Sequence, residues 1–309
     1  MQLGDRIGRR IKLHDLHVVL AVAKTGSMNK AATLLNTGQP AISRSISELE
    51  HALGVRLFDR DRQGVDPTPF GRALLDGGAV VFDDLRQTIR NIEFLANPTV
   101  GELRIGCSVF LATSFVTAVV DRLARRFPRI VFRLVTGQAE TLPKELVERN
   151  VDFLIARKSR SDERLHYEFL FDESYSVTVG AKNAWARRRR IDLADLVSEP
   201  WVLPPSDHTT TVVAADAFRA KGLAFPLATV IAEPAEVRIR LLTSGRFISI
   251  FPDSIFRFSA SHPELKVLPI GQSLSRVPVS IITLKSRTIS PLAQMFIDSC
   301  HQLVKQRRK

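Results

Sequence analysis

The chain has 309 residues, 45% of them apolar and 25% charged, a globular balance at a length that suits two or three domains. Its formal charge of +12 fits a nucleic-acid partner only loosely. Residues 1–70 hold ten bases against seven acids, and the remaining surplus lies further on, notably in Arg187 to Arg190 and the Lys305 to Lys309 tail. Two widely separated cysteines, Cys107 and Cys300, exclude a disulfide framework and a paired-cysteine metal site and read as small buried thiols, with a redox sensor as the alternative, while no apolar run approaches the roughly 18 residues of a membrane span.

Met1 to Ile11 carries three arginines and little apolar pattern, and reads as an extension ahead of the first folded element. No apolar core of a signal peptide follows those arginines, so the expected location is the cytoplasm. Leu13, Leu16, Leu20 and Ala23 then predict a helix with one apolar stripe, closed by Gly26. His14 and His17 lie in it without Cys or carboxylate partners at metal-ligand spacing, and no metal or cofactor is expected.

From Gly26 to Gly54 the sequence reads as two helices on a tight turn. Ser27 can cap a first helix over Met28 to Leu35, and Asn36-Thr37-Gly38 breaks it because Asn and Gly tolerate positive φ. Pro40 suits the opening of the second helix, in which Ile42, Ile46, Leu49 and Leu53 recur at the spacing of one apolar stripe. The opposite face carries Pro40, Arg44, Ser47 and His51, with Gln39 and Ser43 flanking its start. Such groups suit base edges: an Arg grips guanine O6 and N7, Gln pairs with adenine, and a helix N-terminus favours a phosphate. Ser27, Asn29 and Lys30, at the start of the first of these helices, complete the expected DNA-contacting set on that hairpin.

Val55 to Arg60 alternates like a strand, Asp61 to Gly64 makes a charged turn, and Val65-Asp66-Pro67 returns. Together these elements make a winged helix-turn-helix, with Arg60 and Arg62 placed to touch backbone phosphates. From Pro69 to about Ala96 one long helix is expected, spanning on the order of 40 Å. Leu75, Phe82, Leu85, Ile89, Ile92 and Ala96 follow a heptad alternation interrupted at Gly78. Such a seam wants either a partner helix or its own chain's core.

Beyond Val100 strands and helices alternate. Strands are expected at Leu103 to Cys107, Ile130 to Val135 and Val151 to Ala156, with helices through Val116 to Phe127 and Leu142 to Arg149. The pattern resumes near Tyr175 to Val179, Trp201 to Leu203, Thr229 to Ala232 and Phe247 to Phe251, followed by a last strand at Val277 to Leu284 and a last helix opened by Ser290-Pro291. Short connections between such units predict parallel α/β sheets in two lobes.

The residues from Gly26 onward resemble the LysR-type transcriptional regulators. The ordered signals are Gly26-Ser27, Ala31-Ala32, Leu34-Leu35, Gln39 to Arg44, Leu49-Glu50, Leu53-Gly54-Val55, Leu57-Phe58 and Thr68 to Gly71, and the resemblance extends more weakly over nearly the whole chain. Two departures are Gly38, where the family usually has a Ser cap, and Phe70, where it usually has a small residue. The resemblance implies an α/β fold class with an N-terminal winged helix-turn-helix, a long linker helix, and a two-lobed α/β effector-binding domain resembling periplasmic binding proteins. The expected divisions are 1–71 for the DNA-binding domain, 72–98 for the dimerising linker helix and 99–309 for the effector domain, with lobe 1 at about 99–165 and 276–309 and lobe 2 at about 166–275.

It also implies a homodimer or homotetramer joined through the linker helix, acting on double-stranded promoter DNA under the control of a small molecule. Ligands in α/β sheets sit at the carboxyl ends of strands. That rule makes Ser108, Thr113, Thr136, Gly137, Ser206, His208 and Thr209 the candidate cleft lining, and the basic surplus favours an anion over a cation, with a neutral sugar as the alternative. An enzyme on the same lobes would need chemistry the chain does not display, since no phosphate-loop pattern, nucleophile elbow or HExxH appears. An architectural DNA binder would need far less chain than the two hundred residues after Val100.

Overall fold

The computed structural model describes residues 11–60, 64–138, 140–158, 162–258, 262–271, 274 and 276–307. It divides into two compact units, residues 1–90 and 91–309. The expected extension lies, apart from Ile11, outside the described residues.

The first unit contains α1 (Leu13–Thr25), α2 (Met28–Leu34), α3 (Gln39–Leu53), the hairpin β1 (Phe58–Arg60) and β2 (Val65–Pro67), and most of α4 (Pro69–Ala96). Val18, Val19, Val22, Ala31, Ile42, Ile46, Leu49 and Leu57 form its core. The stripe expected in α1 is corrected by this packing. Leu13 is exposed and Leu16 and Leu20 are half-buried, because the valine face turns to α2 and α3 while Leu16 and Leu20 lie over Gly78 of α4. The interruption of the α4 heptad at Gly78 thus coincides with the place where α1 crosses.

Local chemistry sets the element ends. Ser27 Oγ accepts the Lys30 N–H to open α2, Asn36 turns the chain at φ +50°, and Gly54 stops α3 at φ +74°. The strand expected from Val55 starts only at Phe58. Glu50 on α3 takes the amides of Leu57 and Phe58, which holds the preceding residues out of a ladder.

In the second unit, α4 ends and the chain enters β3 (Val100–Cys107). A short helical turn α5 (Val109–Leu111) runs through a π turn (Ala112–Val116) into α6 (Thr117–Arg126). There follow β4 (Arg129–Thr136), α7 (Leu142–Val147), β5 (Phe153–Arg157) and β6 (Leu165–Gly180). The remainder is β7 (Trp201–Leu203), α8 (Thr209–Ala220), β8 (Ala228–Ile231), α9 (Ala235–Thr243), β9 (Ile248–Pro252), α10 (Ser254–Arg257), β10 (Leu265–Val267), β11 (Arg276–Leu284) and α11 (Pro291–Gln306).

The strands run β4-β3-β5-β11-β6-β9-β7-β8, with β10 also on β6. β3 is parallel to β4 and β5, and β7 is parallel to β8 and β9, as the alternating pattern predicts. The all-parallel expectation fails at the centre. β11 is antiparallel to β5 and β6, and β6 is antiparallel to β9 and β10. The first half of β6 was not expected as strand, since Glu168, Asp172 and Glu173 interrupt its apolar alternation. Up to Ser174 it pairs with β11, and from Tyr175 it pairs with β9. One strand therefore passes from one lobe to the other, and β11 beside it provides the return.

Phe115, Phe153, Phe171 and Phe296 centre the core of the first lobe, and Tyr175, Trp201, Phe218 and Ile250 that of the second. Among the described residues no helix is long and apolar enough to cross a membrane.

Candidate DNA-reading surface and effector cleft

In α3 the expected stripe is buried at Ile42, Ile46 and Leu49, with Ala52 completing it and Leu53 half-buried. That burial turns Gln39, Pro40, Arg44, Ser47 and His51 to the surface, with Ser43 half-buried beside them. Asp15 of α1 fixes the helix from behind by accepting the Ser45 hydroxyl at 3.0 Å. Asn29 and Lys30 are exposed on the first turn of α2, where Ser27 is spent as the cap. In the wing, Asp59 pairs with Asp66 and Arg60 with Val65. Of Arg60 only the backbone is described, and Arg62 lies outside the described residues.

Thr68 secures the junction from wing to α4. Its hydroxyl donates to the Arg56 carbonyl at 2.7 Å and accepts the Gly71 N–H at 3.1 Å. Gly71 is obligatory there, because a Cβ would collide with the Leu57 carbonyl. Along α4 the expected seam divides. Leu75 is half-buried against the first unit's core, and Phe82 stacks on His17 with centroids 5.5 Å apart. Leu85, Ile89 and Ile92 are exposed, as is Leu95.

In the second unit, Cys107 pairs with Thr136 and the Gly137 N–H donates to the Cys107 carbonyl at 3.2 Å, so two strand ends stand side by side. Ser108 follows the first of these and is buried, its hydroxyl without a partner among the described residues. Thr136 is exposed. Thr113 spends its hydroxyl on the Val109 and Phe110 carbonyls of its own helix. In the second lobe Ser206 is exposed and Thr209 half-buried, while His208 caps α8 by accepting the Thr210 N–H on Nδ1 at 3.1 Å. That bond leaves the proton of a neutral ring on Nε2. Burial holds His208 below the usual imidazole range, and the charges of Arg238 and Arg157 press in the same direction.

The lobes meet at Phe110. Its ring is edge-on to His208 at 6.3 Å and to Phe251 at 6.1 Å, and the Arg238 guanidinium lies 5.5 Å from its centre. The sequence reading missed this group. It also missed Arg157, which ends the wholly buried strand β5 and lies over the Tyr175 ring at 5.4 Å. Burial pulls Arg157 down, and nearby Glu173 opposes that pull. Burial also raises Glu173, although its carboxylate accepts the Ser254 N–H at 3.0 Å. A signal existed for both arginines. Arg157 closes the apolar run Phe153 to Ala156, and Arg238 shares the inward spacing of Ala235 and Leu242. The arrangement offers desolvated positive charge at a lobe junction, which suits an anion. Among the described residues no group of His, Cys, Asp and Glu could hold a metal ion.

Comparison with known proteins finds matches over both parts of the chain. A family model described as "Bacterial regulatory helix-turn-helix protein, lysR family" matches residues 13–72, and one described as "LysR substrate binding domain" matches residues 96–305. The HTH-type transcriptional regulator YdcI of Escherichia coli (strain K12) is 25% identical over 301 residues, covering 97% of this chain and 98% of its own. The transcriptional dual regulator GltC of Bacillus subtilis (strain 168) is 26% identical over 289 residues, 93% of this chain and 96% of its own. Among solved structures, a full-length OxyR variant from Pseudomonas aeruginosa gives a TM-score of 0.63 at 20% identity, over 96% of this chain and 95% of that one. Full-length CbnR complexed with its target DNA gives 0.56 at 21% identity, over 95% and 100%. These two likenesses establish the fold.

Proposed function

The chain belongs to the LysR family of bacterial transcriptional regulators, and from that membership we propose that it reads promoter DNA through α3 and the wing, assembles through α4, and answers to a small anionic effector held between its two lobes. The family assignment makes it a DNA-binding regulator with a substrate-binding domain; the residues, the assembly and the effector's charge are the added reading.

The observation that carries the reading is the division of α3 into a buried stripe, Ile42, Ile46 and Leu49, and an exposed face of Gln39, Pro40, Arg44 and Ser47. A helix fixed that firmly on one side presents the other to a major groove in one orientation, which base readout requires. The exposed Leu85, Ile89 and Ile92 support pairing of two copies, because a bare apolar stripe on a long helix is favourable only when covered. An anionic effector is supported by the two buried arginines, Arg157 and Arg238, of which Arg238 has, among the described residues, no acid against it except exposed Glu236.

Selection of duplexes from a random pool by the full chain, repeated with mixtures of organic acids and of neutral sugars, tests this function. The expected outcome is a two-fold-related pair of half-sites whose occupancy responds to the acids. Equal affinity for every duplex would remove the reader assignment, and a response to sugars alone would remove the anionic one.

A further inference from the structure

Arg238 is fully buried, with no exposed surface, on the inward face of α9. Its guanidinium lies against two rings that are themselves edge-on to each other, 4.7 Å from the centre of Phe251 and 5.5 Å from that of Phe110. Nη1 donates to the Ile250 carbonyl at 3.3 Å, whereas Nε and Nη2 are buried and have no acceptor among the described residues. These two nitrogens form one edge of the fork. Their N–H bonds run parallel at the spacing of the two oxygens of a carboxylate, the geometry of bidentate pairing.

We propose that this open edge of Arg238 is the anchor for a carboxylate group of the effector, taken up at the junction of the lobes beneath Phe110. The assignment rests on the anionic-effector reading and narrows it from a charge to a functional group.

Three observations support it. A buried cation without a partner is strongly destabilising, so a fold that keeps one has an anion to complete it. Burial draws Arg238 down to about 10, which leaves it charged at neutral pH. His208, edge-on to Phe110, is held towards its neutral form, so the positive charge beside that ring is the Arg238 guanidinium's. Thr210, on the turn capped by His208, and Ser249, next to Ile250 in sequence, also hold buried hydroxyls without partners among the described residues.

The test uses the full chain and follows thermal unfolding with acetate, succinate and benzoate, each against its neutral amide, with chloride holding ionic strength. At least one carboxylate should raise the unfolding temperature where its amide does not. Arg238→Lys keeps the charge but loses the fork, and should weaken that carboxylate by about tenfold or more. Arg238→Met should abolish the response and raise the unfolding temperature of the ligand-free protein, since it removes the buried charge. The nitrogen resonance of Arg238 Nε, identified by its loss in Arg238→Lys, should shift with the same carboxylate, and this readout needs no foldable methionine variant.

Carboxylate binding that persists unchanged in both variants, with an unmoved Nε resonance, would overturn the anchor while leaving an anionic effector in place. Failure of every carboxylate to bind wild type at about 10 mM would overturn the anchor, and failure of phosphate and sulfate beside them would overturn the anionic reading as well.

Discussion

The Glu50 carboxylate on α3 accepts the backbone N–H of Leu57 at 2.7 Å and that of Phe58 at 3.3 Å. A side chain on the reading helix thereby fixes where the wing begins, and Leu57 in turn excludes any side chain at Gly71, where α4 starts. Reader, wing and linker are positioned through one short stretch of backbone.

Glu50→Ala should therefore cost about 2 kcal/mol of reader stability, because charge-assisted bonds to two partly buried amides are lost together. Hydrogen exchange at Leu57 and Phe58 should rise while α1 to α3 stay protected. Glu50→Gln, which keeps an acceptor oxygen, should lose less. Uniform loss of protection across all three helices would show that Glu50 supports the whole core instead of the wing.

Base reading is tested at Arg44. It is exposed opposite Ile42 and Ile46, so Arg44→Ala should leave the unfolding temperature unchanged while reducing discrimination at one base pair by about 1–3 kcal/mol. Affinities for operator variants at fixed salt give the answer. An equal loss on all duplexes would make Arg44 a phosphate contact.

Much of the reader was legible in the sequence because α3 has a single apolar row and a polar remainder. Helix α1 is different. It is apolar on most sides, and spacing alone cannot choose between the row of Leu16 and Leu20 and the row of Val18, Val19 and Val22; only the crossing of α4 at Gly78 decides it. In the effector domain, strands bounded by turns were read at nearly correct positions, but the hinge half of β6 was hidden by its acids. Arg157 and Arg238 were overlooked because charge is ordinarily discounted from a core, although their positions on buried faces mark them as exceptions.

Dimerisation is tested on α4. Leu85 and Ile92 are 40% and 61% exposed, so Leu85→Glu with Ile92→Glu takes less packing from the single chain than the same change at a buried position would. Sedimentation should shift to the monomer and operator affinity should fall as two linked half-sites become one, with the melting of the monomer little changed. An unchanged oligomer would place assembly elsewhere. Phe82, which already stacks on His17, would be a poorer probe, because its loss also loosens the reader.

The two thiols supply a redox control. Cys107 and Cys300 are wholly buried; burial pushes Cys107 up to about 12 and Cys300 well above the usual thiol range. Only the thiolate attacks, so neither should react with a disulfide reagent in the native protein at neutral pH, and both should react after unfolding. Rapid native labelling of either one would reopen a sensing role.

The cleft residues are separated by their surroundings. Ser108 follows β3 with a buried hydroxyl that has no partner among the described residues, whereas Thr136, on the neighbouring strand end, is exposed to water that already satisfies it. A buried hydroxyl without a partner costs the ligand-free fold its lost hydration, and one that bonds to a ligand adds about 0.5–1.5 kcal/mol to binding. Ser108→Ala should thus leave the unfolding temperature unchanged or higher and basal operator affinity unchanged while raising the effector concentration at half-response by about threefold to tenfold. Thr136→Val should shift that midpoint much less, since in water its hydroxyl exchanges one partner for another. Titrating the effector against operator occupancy for both variants distinguishes them. If Thr136→Val moved the midpoint and Ser108→Ala did not, the ligand would lie on the exposed side of the strand ends; if basal affinity moved instead, Ser108 would be holding the lobes together and not the ligand.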